Sequence, residues 1–302
     1  MRIALLTQFI DNESTRKIVR AGEARGHTVD VINYLECHMT IEANAPMLLD
    51  ARGTTLPRPD AVIPRVSSLN TFYGTAVLRQ LQMGGIYTPN SSEAILRSRD
   101  KLRSLQLLSR KGVPMPKTAF GHASTRTQGL IDAVGGAPVV VKILEGTQGI
   151  GVVLCESNNA ALSVMEAFAS LKTNILVQEF IAESKGSDIR CLVVGKRVVG
   201  SMIRKAAPGE FRANLHRGGS GEPFKLSPEQ RDIAIKTARA MNLGIAGVDL
   251  VHSNRGPLVI EVNSSPGLVG IESSTSKDIA GSIIEHVAKE ALKGAKEDRT
   301  ER

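Results

Sequence analysis

Asp249, Glu261 and Asn263 are the residues whose types and spacing most invite chemistry. They lie in two apolar segments, GVDLVH and LVIEVN, on either side of Asn254-Arg255-Gly256. If those three residues turn a hairpin, counting outwards from the turn sets Asp249 opposite Glu261. Side chains two apart share a strand face, which adds Asn263. Directly opposed like charges cost roughly 0.2–1 kcal/mol even in a solvated sheet, and a bound cation would turn that repulsion into coordination. Two carboxylates with an amide oxygen suit the hard, oxygen-seeking Mg2+. The alternative is a polar face at a sheet edge. On the metal reading, removing either carboxylate relieves repulsion and leaves the metal-free fold intact.

A second group is Glu145-Gly146-Thr147-Gln148-Gly149-Ile150-Gly151, between VVVKIL and VVLC. It is neither a P-loop, lacking the Lys-Ser/Thr, nor a Rossmann turn, because a strand follows it. A glycine-rich turn between strands can fold over phosphates with its backbone N–H groups, or be a plain hairpin bulge. Lys142, inside the apolar VVVKIL, needs a partner if buried. A nucleotide phosphate would serve, whereas on an edge strand the lysine would face water. In EFRANLHRGG, Arg212 offers a fork for phosphate or carboxylate, and the glycines let the loop close. His216 reads as a general base or as a hydrogen-bonding loop residue. Asp188 and Arg190, two apart, share a face and could pair with each other. No G-x-S-x-G points to a serine nucleophile.

The elements that must hold these residues are of α/β type. An apolar run at 2–7, a polar helix at 14–25 and an alternating strand at 28–33 make a βαβ opening. A strand at 60–65 and a helix at 71–83 extend it, and a turn-rich connector covers 87–92. Asp100 is placed to cap a helix over 101–111. Strands at 139–144 and 152–155 flank the glycine-rich segment, with a helix at 158–171 and a strand at 174–181. Strands at 188–194 and 197–205 pair around Gly195-Lys196. Ser227-Pro228-Glu229-Gln230 carries an N-cap, a proline at N1 and a glutamine at N3, opening a helix to about 242. The hairpin 247–262 and a helix at 276–292 follow, and the charged GAKEDRTER reads as a frayed tail.

With 42% hydrophobic and 23% charged residues in 302, wholesale disorder is excluded. No apolar run reaches the roughly 18–20 residues of a membrane helix, and the opening lacks a signal-peptide pattern. Cys37, Cys155 and Cys191 are widely spaced and suit a reducing cytosol. The net charge of +8 favours acidic partners. It concentrates in 97–117 and 196–217, where basic residues exceed acidic ones by 11. Those segments are anion sites or solvated charged faces. Aromatics at 3% supply base-stacking poorly.

In this order, RSRDKLRSLQLL, VVKILEGTQGIGVVL, DIRCLVVG, FRANLHRGG and GVDLVHSNRGPLVIEVNSSPGL resemble the ATP-grasp carboxylate–amine ligases, most closely the RimK-type glutamate ligases. The resemblance implies an ATP-grasp fold of α+β lobes preceded by a Rossmann-like domain. Residues 1–98 would be that domain, 99–178 the small lobe with its lid, 179–293 the large lobe with the metal site, and 294–302 a tail. Lys101, Lys142 and the lid residues Gly146, Gln148 and Gly149 would meet ATP phosphates. Glu179 and Phe180 would hold adenine largely through backbone groups, and Asp188 would sit near the ribose. Arg212, Ala213 and Asn214 would contact the phosphates, with Arg212 and Lys142 catalytic. Asp249, Glu261 and Asn263 would hold a pair of Mg2+ or Mn2+ ions. Arg190, His216, Pro266 and Gly267 would border the acceptor.

The implied reaction joins L-glutamate to the C-terminus of a ribosomal small-subunit protein through an acyl phosphate, releasing ADP and phosphate. The basic segments would steer the acidic acceptor tail. A cytoplasmic homo-oligomer is implied, with neither membrane association nor direct nucleic-acid binding. A ligase for a small-molecule cofactor or an amino-group carrier protein would share these residues. A non-enzymatic nucleotide- or RNA-binding regulator would share the fold.

Overall fold

The structure, a computed structural model, describes residues 1–43, 47–122, 127–144, 151–170, 173–214 and 218–300, with side chains through 293. The βαβ opening is formed by β1 (Arg2–Thr7), α1 (Glu13–Glu23) and β2 (Thr28–Ile32). A short antiparallel ribbon that the pattern did not announce follows, β3 (His38–Thr40) with β4 (Met47–Leu49). Then come β5 (Ala61–Arg65) and α2 (Thr71–Met83), and the parallel sheet runs β2-β1-β5. Alternation along β1 divides two cores. Ala4 and Leu6 pack with Tyr34, Val77 and Leu78, whereas Ile3 and Leu5 join Ile18 and residues from the far end of the chain.

Two consecutive helices follow, α3 (Ser92–Arg99) and α4 (Lys101–Arg110). Asp100 ends the first and caps the second, accepting from the Arg103 N–H at 2.9 Å. Only the second helix was anticipated, because SEAILRSR is too polar to show an apolar stripe. The next sheet comprises β6 (Thr118–Gly121), β7 (Val139–Ile143), β8 (Val152–Cys155) and β9 (Ile175–Glu179), with α5 (Thr127–Val134) and α6 (Asn158–Ser170). Its order is β6-β9-β7-β8, all antiparallel, so β7 is an interior strand. Gly151 closes the β7–β8 hairpin at φ +70°, where a Cβ would come 2.3 Å from Ile143 Cγ1. Only glycine fits there.

The largest sheet, antiparallel throughout, takes β10 (Ser187–Val194), β11 (Arg197–Lys205), β12 (Ser220–Pro223), β13 (Ile245–Ser253) and β14 (Gly256–Asn263) in the order β12-β11-β10-β13-β14. Helix α7 (Pro228–Ala240) opens with the full capping box of Ser227 and Gln230. Helices α8 (Val269–Thr275) and α9 (Ile279–Thr300) complete the chain. Helix α9 continues through Thr300, where a frayed tail was expected. One face of the sheet is apolar throughout: Ile189, Cys191 and Val193 pack on Ile233, Ala234 and Ala238 of α7. The other face changes character along β10. Leu192 and Val194 join Ile3, Leu5, Ile63, Ile283 and Ile284 in one core, whereas Asp188 and Arg190 carry charge. The N-terminal sheet thus covers half of this face, and the charged half is left for chemistry.

The segment read as a connector is fastened. Asn90, 1% exposed, donates from Nδ2 to the carbonyls of Ile245 (2.8 Å) and Ser264 (2.9 Å) and accepts from the Ile245 N–H at 2.9 Å. Asn90→Ala leaves three backbone groups unpaired, each costing about 1–3 kcal/mol. We expect a clear fall in the urea midpoint, and an unchanged midpoint would contradict the stapling role.

Candidate active site

The charged half of the large sheet is organised by register. Asp188 lies opposite Arg204, Arg190 opposite Asp249, and Asp249 opposite Glu261. Arg204 donates from Nε and Nη2 to the two Asp188 oxygens at 2.6 and 2.7 Å, and from Nη2 to Asp249 Oδ2 at 2.7 Å. Arg190 donates from Nη2 to Asp249 Oδ2 at 2.6 Å and from Nε to Oδ1. Asp188 and Arg190 therefore pair across strands rather than with each other, because opposed residues approach more closely than i and i+2. Burial would raise Asp249, but the two guanidinium groups hold it down to about 2. Burial, and then Asp249, push Asp188 up to about 6 against the pull of Arg204.

The hairpin turn is two residues, Asn254-Arg255, with Gly256 paired to Ser253, and a bulge at Ile260 shifts the register by one. The two differences cancel, so Asp249 does face Glu261. The bulge also lets Val259 and Val262, three apart, both face α7. The expectation that Asp249 and Glu261 simply repel is corrected, since two arginines compensate Asp249. Of about four lone-pair sites on a carboxylate, three on Asp249 are used and one on Oδ1 remains. Asn263 Oδ1 accepts from the Ser265 N–H at 2.9 Å and has a second lone pair. Glu261 is exposed and has no ion pair within bonding distance among the described residues. Among these residues no three His, Cys, Asp or Glu side chains gather, so a hard cation here needs the amide as well. The donor set fits Mg2+.

Glu261 acts at a distance on four cations. Its charge acts on Arg99 at the end of α3, Lys101 at the start of α4, Lys142 of β7 and Arg190 of β10. Lys101 Nζ donates to the Ile143 carbonyl at 3.2 Å, next to Lys142. Lys142 is no edge lysine: it sits inside the sheet and donates to Gln178 Oε1 at 2.7 Å, with Gln178 fixed in turn by Thr118 at 2.9 Å. Burial lowers Lys142 to about 8, with Glu261 opposing and Lys101 reinforcing the shift. Sequence reasoning missed Gln178, Arg99 and Arg204. Only a polar residue interrupting the apolar ILVQ signalled the first.

Arg212 donates from Nε and Nη2 to Glu210 at 2.9 and 2.7 Å, and from Nη1 to the Val152 carbonyl at 3.3 Å. Its fork contacts hold Glu210 down to about 2. The Arg212 guanidinium lies 5.2 Å from the Phe211 ring centroid, and Phe211 meets Phe180 edge-to-face at 6.4 Å. Ala213 is buried, and the carbonyls of Lys205, Ala213 and Asn214 crowd within 3.1 Å of where a Cβ on Gly219 would stand. The Glu179 N–H donates to Lys117 O at 2.9 Å and the Phe180 N–H to Pro138 O at 3.2 Å, so both N–H groups are engaged within the protein. The Glu179 carboxylate accepts from the Lys117 N–H at 2.6 Å and from Arg255. Arg65 Nη1 donates to the Pro266 carbonyl at 2.8 Å, while Gly267 has open space around its Cα. Gly146, Gln148, Gly149 and His216 lie outside the described residues.

Lysines and arginines drawn from two antiparallel sheets and the helix before them, beside opposed carboxylates on the larger sheet, are the machinery of an ATP-grasp enzyme, an ATP-dependent carboxylate–amine ligase. Comparison agrees. The RimK-like ATP-grasp domain family model matches residues 98–287 and the RimK PreATP-grasp domain model matches 1–95. The chain belongs to the RimK-like ATP-grasp family. It is 56% identical to a probable alpha-L-glutamate ligase of Picosynechococcus sp. over 99% of each chain. It is 58% identical to a probable alpha-L-glutamate ligase 1 of Shewanella amazonensis over 98% of each. The fold is shared with the ATP-grasp ligase PsnB, solved with a precursor variant, Mg and ADP, at TM-score 0.73 and 20% identity over 95% of this chain and 97% of that one. Ligases of this class use ATP with Mg2+. Among the described residues no helix is long and apolar enough to cross a membrane.

The arginine pairing reverses the expected result of deleting Asp249. Asp249→Ala strands Arg190 and Arg204, and breaking such a buried pair costs about 3–5 kcal/mol. Chemical denaturation without metal should show that loss, and wild-type stability would refute the pairing energetics. A second expectation concerns Lys142. A bound polyphosphate favours its charged form, so binding is linked to proton uptake above pH 8. ADP–Mg2+ affinity should be nearly flat just below pH 8 and fall above it, while Lys142→Arg flattens the profile. Calorimetry across that range checks it, and affinity rising with pH would contradict the assignment.

Proposed function

We propose that this ligase joins the amine of L-glutamate to the C-terminal carboxylate of a ribosomal small-subunit protein. The observation that carries the phosphate chemistry is the juxtaposition of two lysines from different elements, Lys101 bonding the Ile143 carbonyl at 3.2 Å beside Lys142, which a neutral glutamine holds at 2.7 Å. The glutamate substrate is supported by the names of relatives that match nearly the whole chain. The acceptor is supported by the RimK-like family and by a net charge of +8, which suits an acidic tail.

In this reading the acceptor carboxylate attacks the γ-phosphorus of ATP, and the bond to the β-phosphate oxygen breaks, giving an acyl phosphate and ADP. The glutamate amine then attacks the acyl carbon, phosphate leaves, and one proton is released as the amide forms. Mg2+ or Mn2+, as a pair on Asp249, Glu261 and Asn263, supplies charge neutralisation on the phosphate oxygens. Lys101 and Lys142 bind phosphates from two elements, and Arg212, with Ala213 and Asn214, lines the transferring group. Its Glu210 partner fixes the guanidinium plane, so electrostatic stabilisation is preorganised. Glu179 and Phe180 border the adenine, with the Phe180–Phe211 pair as an apolar wall, and Asp188 lies towards the ribose. Arg190, His216, Pro266 and Gly267 border the acceptor. The enzyme works in the cytoplasm as a homo-oligomer.

Intact-mass spectrometry of ribosomal proteins incubated with the enzyme, ATP, Mg2+ and L-glutamate tests this. A single protein should gain mass in steps of one glutamyl residue. Formation of ADP only with small-molecule or carrier-protein acceptors would move the assignment to that branch of the ligases.

A further inference from the structure

Arg65 and Arg99, both half-buried, differ from the other arginines of the site. Arg190 and Arg204 each grip a carboxylate, and Arg212 grips Glu210. Among the described residues Arg65 and Arg99, by contrast, bond only backbone carbonyls: Arg65 to Pro266 and Arg99 to Val66 at 2.7 Å. The Arg99 Nε is buried without a partner. Burial lowers Arg65 to about 10, and the charge acting on it besides is Arg99, another cation. Burial lowers Arg99 too, against weaker help from Glu261 and Tyr34. Among the described residues neither guanidinium has a carboxylate within bonding distance, which is costly for two partly desolvated like charges, and their donors suit an anion that the protein itself does not supply there.

Their position says which anion. Arg65 is the last residue of β5, at the carboxyl end of a parallel sheet, where α/β folds place ligands. Arg99 is two residues before the phosphate lysine Lys101, and Arg65 holds the Pro266 turn that follows Asn263. The phosphates already have Lys101, Lys142 and Arg212. Both organic substrates of the proposed reaction are carboxylic acids, and guanidinium forks match carboxylates bidentately. We infer that Arg65 and Arg99 form a carboxylate subsite that anchors a non-reacting carboxylate of the ligase's organic substrates, setting the reacting group's distance from the γ-phosphate. This subsite rests on the ligase reading above. It recruits the N-terminal domain directly into substrate recognition.

The test uses the full-length enzyme with ATP, Mg2+, L-glutamate and a synthetic peptide ending in Glu-Glu, measuring ADP release. Arg65→Lys and Arg99→Lys keep the charge but lose the fork, and Arg99→Met removes the charge. The KM for one organic substrate should rise about tenfold or more, with ADP–Mg2+ affinity by calorimetry unchanged. A rise for glutamate assigns the subsite to the amine substrate, and a rise for the peptide assigns it to the acceptor. Unchanged KM for both, or weakened ADP binding to the same extent, overturns the subsite while the ligase reading stands. If wild-type enzyme forms no ADP with any glutamate and acceptor pairing, both readings fall together. Should Arg65→Lys fold poorly, the two Arg99 variants decide.

Discussion

The structure turns on the need to neutralise Asp249 inside the large sheet. The residue is 2% exposed, and an ionised carboxylate there survives only with partners. Register supplies them, Arg190 directly opposite and Arg204 diagonal, with Asp188 closing the network on Arg204. Two aspartates and two arginines sum to zero, so the sheet's centre carries no net charge. The consequence lies at its edge. Glu261 is left as the carboxylate whose charge acts on Arg99, Lys101 and Lys142, so cations outnumber it there. With Asp188, Asp249 and Glu261 uncompensated, the same sheet would present three anions and repel a polyphosphate.

That arrangement explains how much of the site could be read in advance. The metal trio was legible because hairpin pairing is local: a short turn plus period-two alternation puts Asp249 and Glu261 together. Even so, the assumed three-residue turn was wrong, and the bulge at Ile260 restored the pairing. Lys142 was legible as a charge within VVVKIL, and Asp100 and Ser227 as caps. Arg204, Gln178 and Arg65 were not. Each acquires meaning only from a strand order that joins segments far apart in sequence; nothing in MIRK or VIPR marks the arginine as inward-facing, and the break in apolar character at LVQE hints at the glutamine without naming its partner. The basic segment 97–117 divides likewise. Arg99 and Lys101 enter the cleft, while Arg103, Arg110, Lys111 and Lys117 are exposed, so both readings of that charge hold for different residues.

The two sheets of the ligase contribute charge in different ways. The large sheet gives a fixed, paired array, whereas Lys142 in the small sheet is held by a neutral glutamine and remains a weakly satisfied cation. On the proposed reading binding energy is therefore concentrated on the side that meets the phosphates, and the paired side supplies rigidity. Arg212 connects the two, anchored by Glu210 on one lobe and touching the Val152 carbonyl at the base of the glycine-rich segment on the other. A guanidinium held at its Nε–Nη2 edge keeps its plane.

The N-terminal domain is part of this machine. Its first strand shares a core with Leu192, Val194, Leu268 and the last helix, and Asn90 ties its exit segment to β13. Such a shared apolar interface resists sliding, because packed cores have few alternative arrangements. Arg65 consequently meets Pro266 at a defined place, and a ligand at that turn touches elements far apart in sequence. On the proposed reading, phosphate and metal binding belong to the ATP-grasp lobes while the carboxyl ends of the N-terminal strands look onto the organic substrate. Substitutions there would then alter which acceptor is chosen without disturbing the charges that activate it.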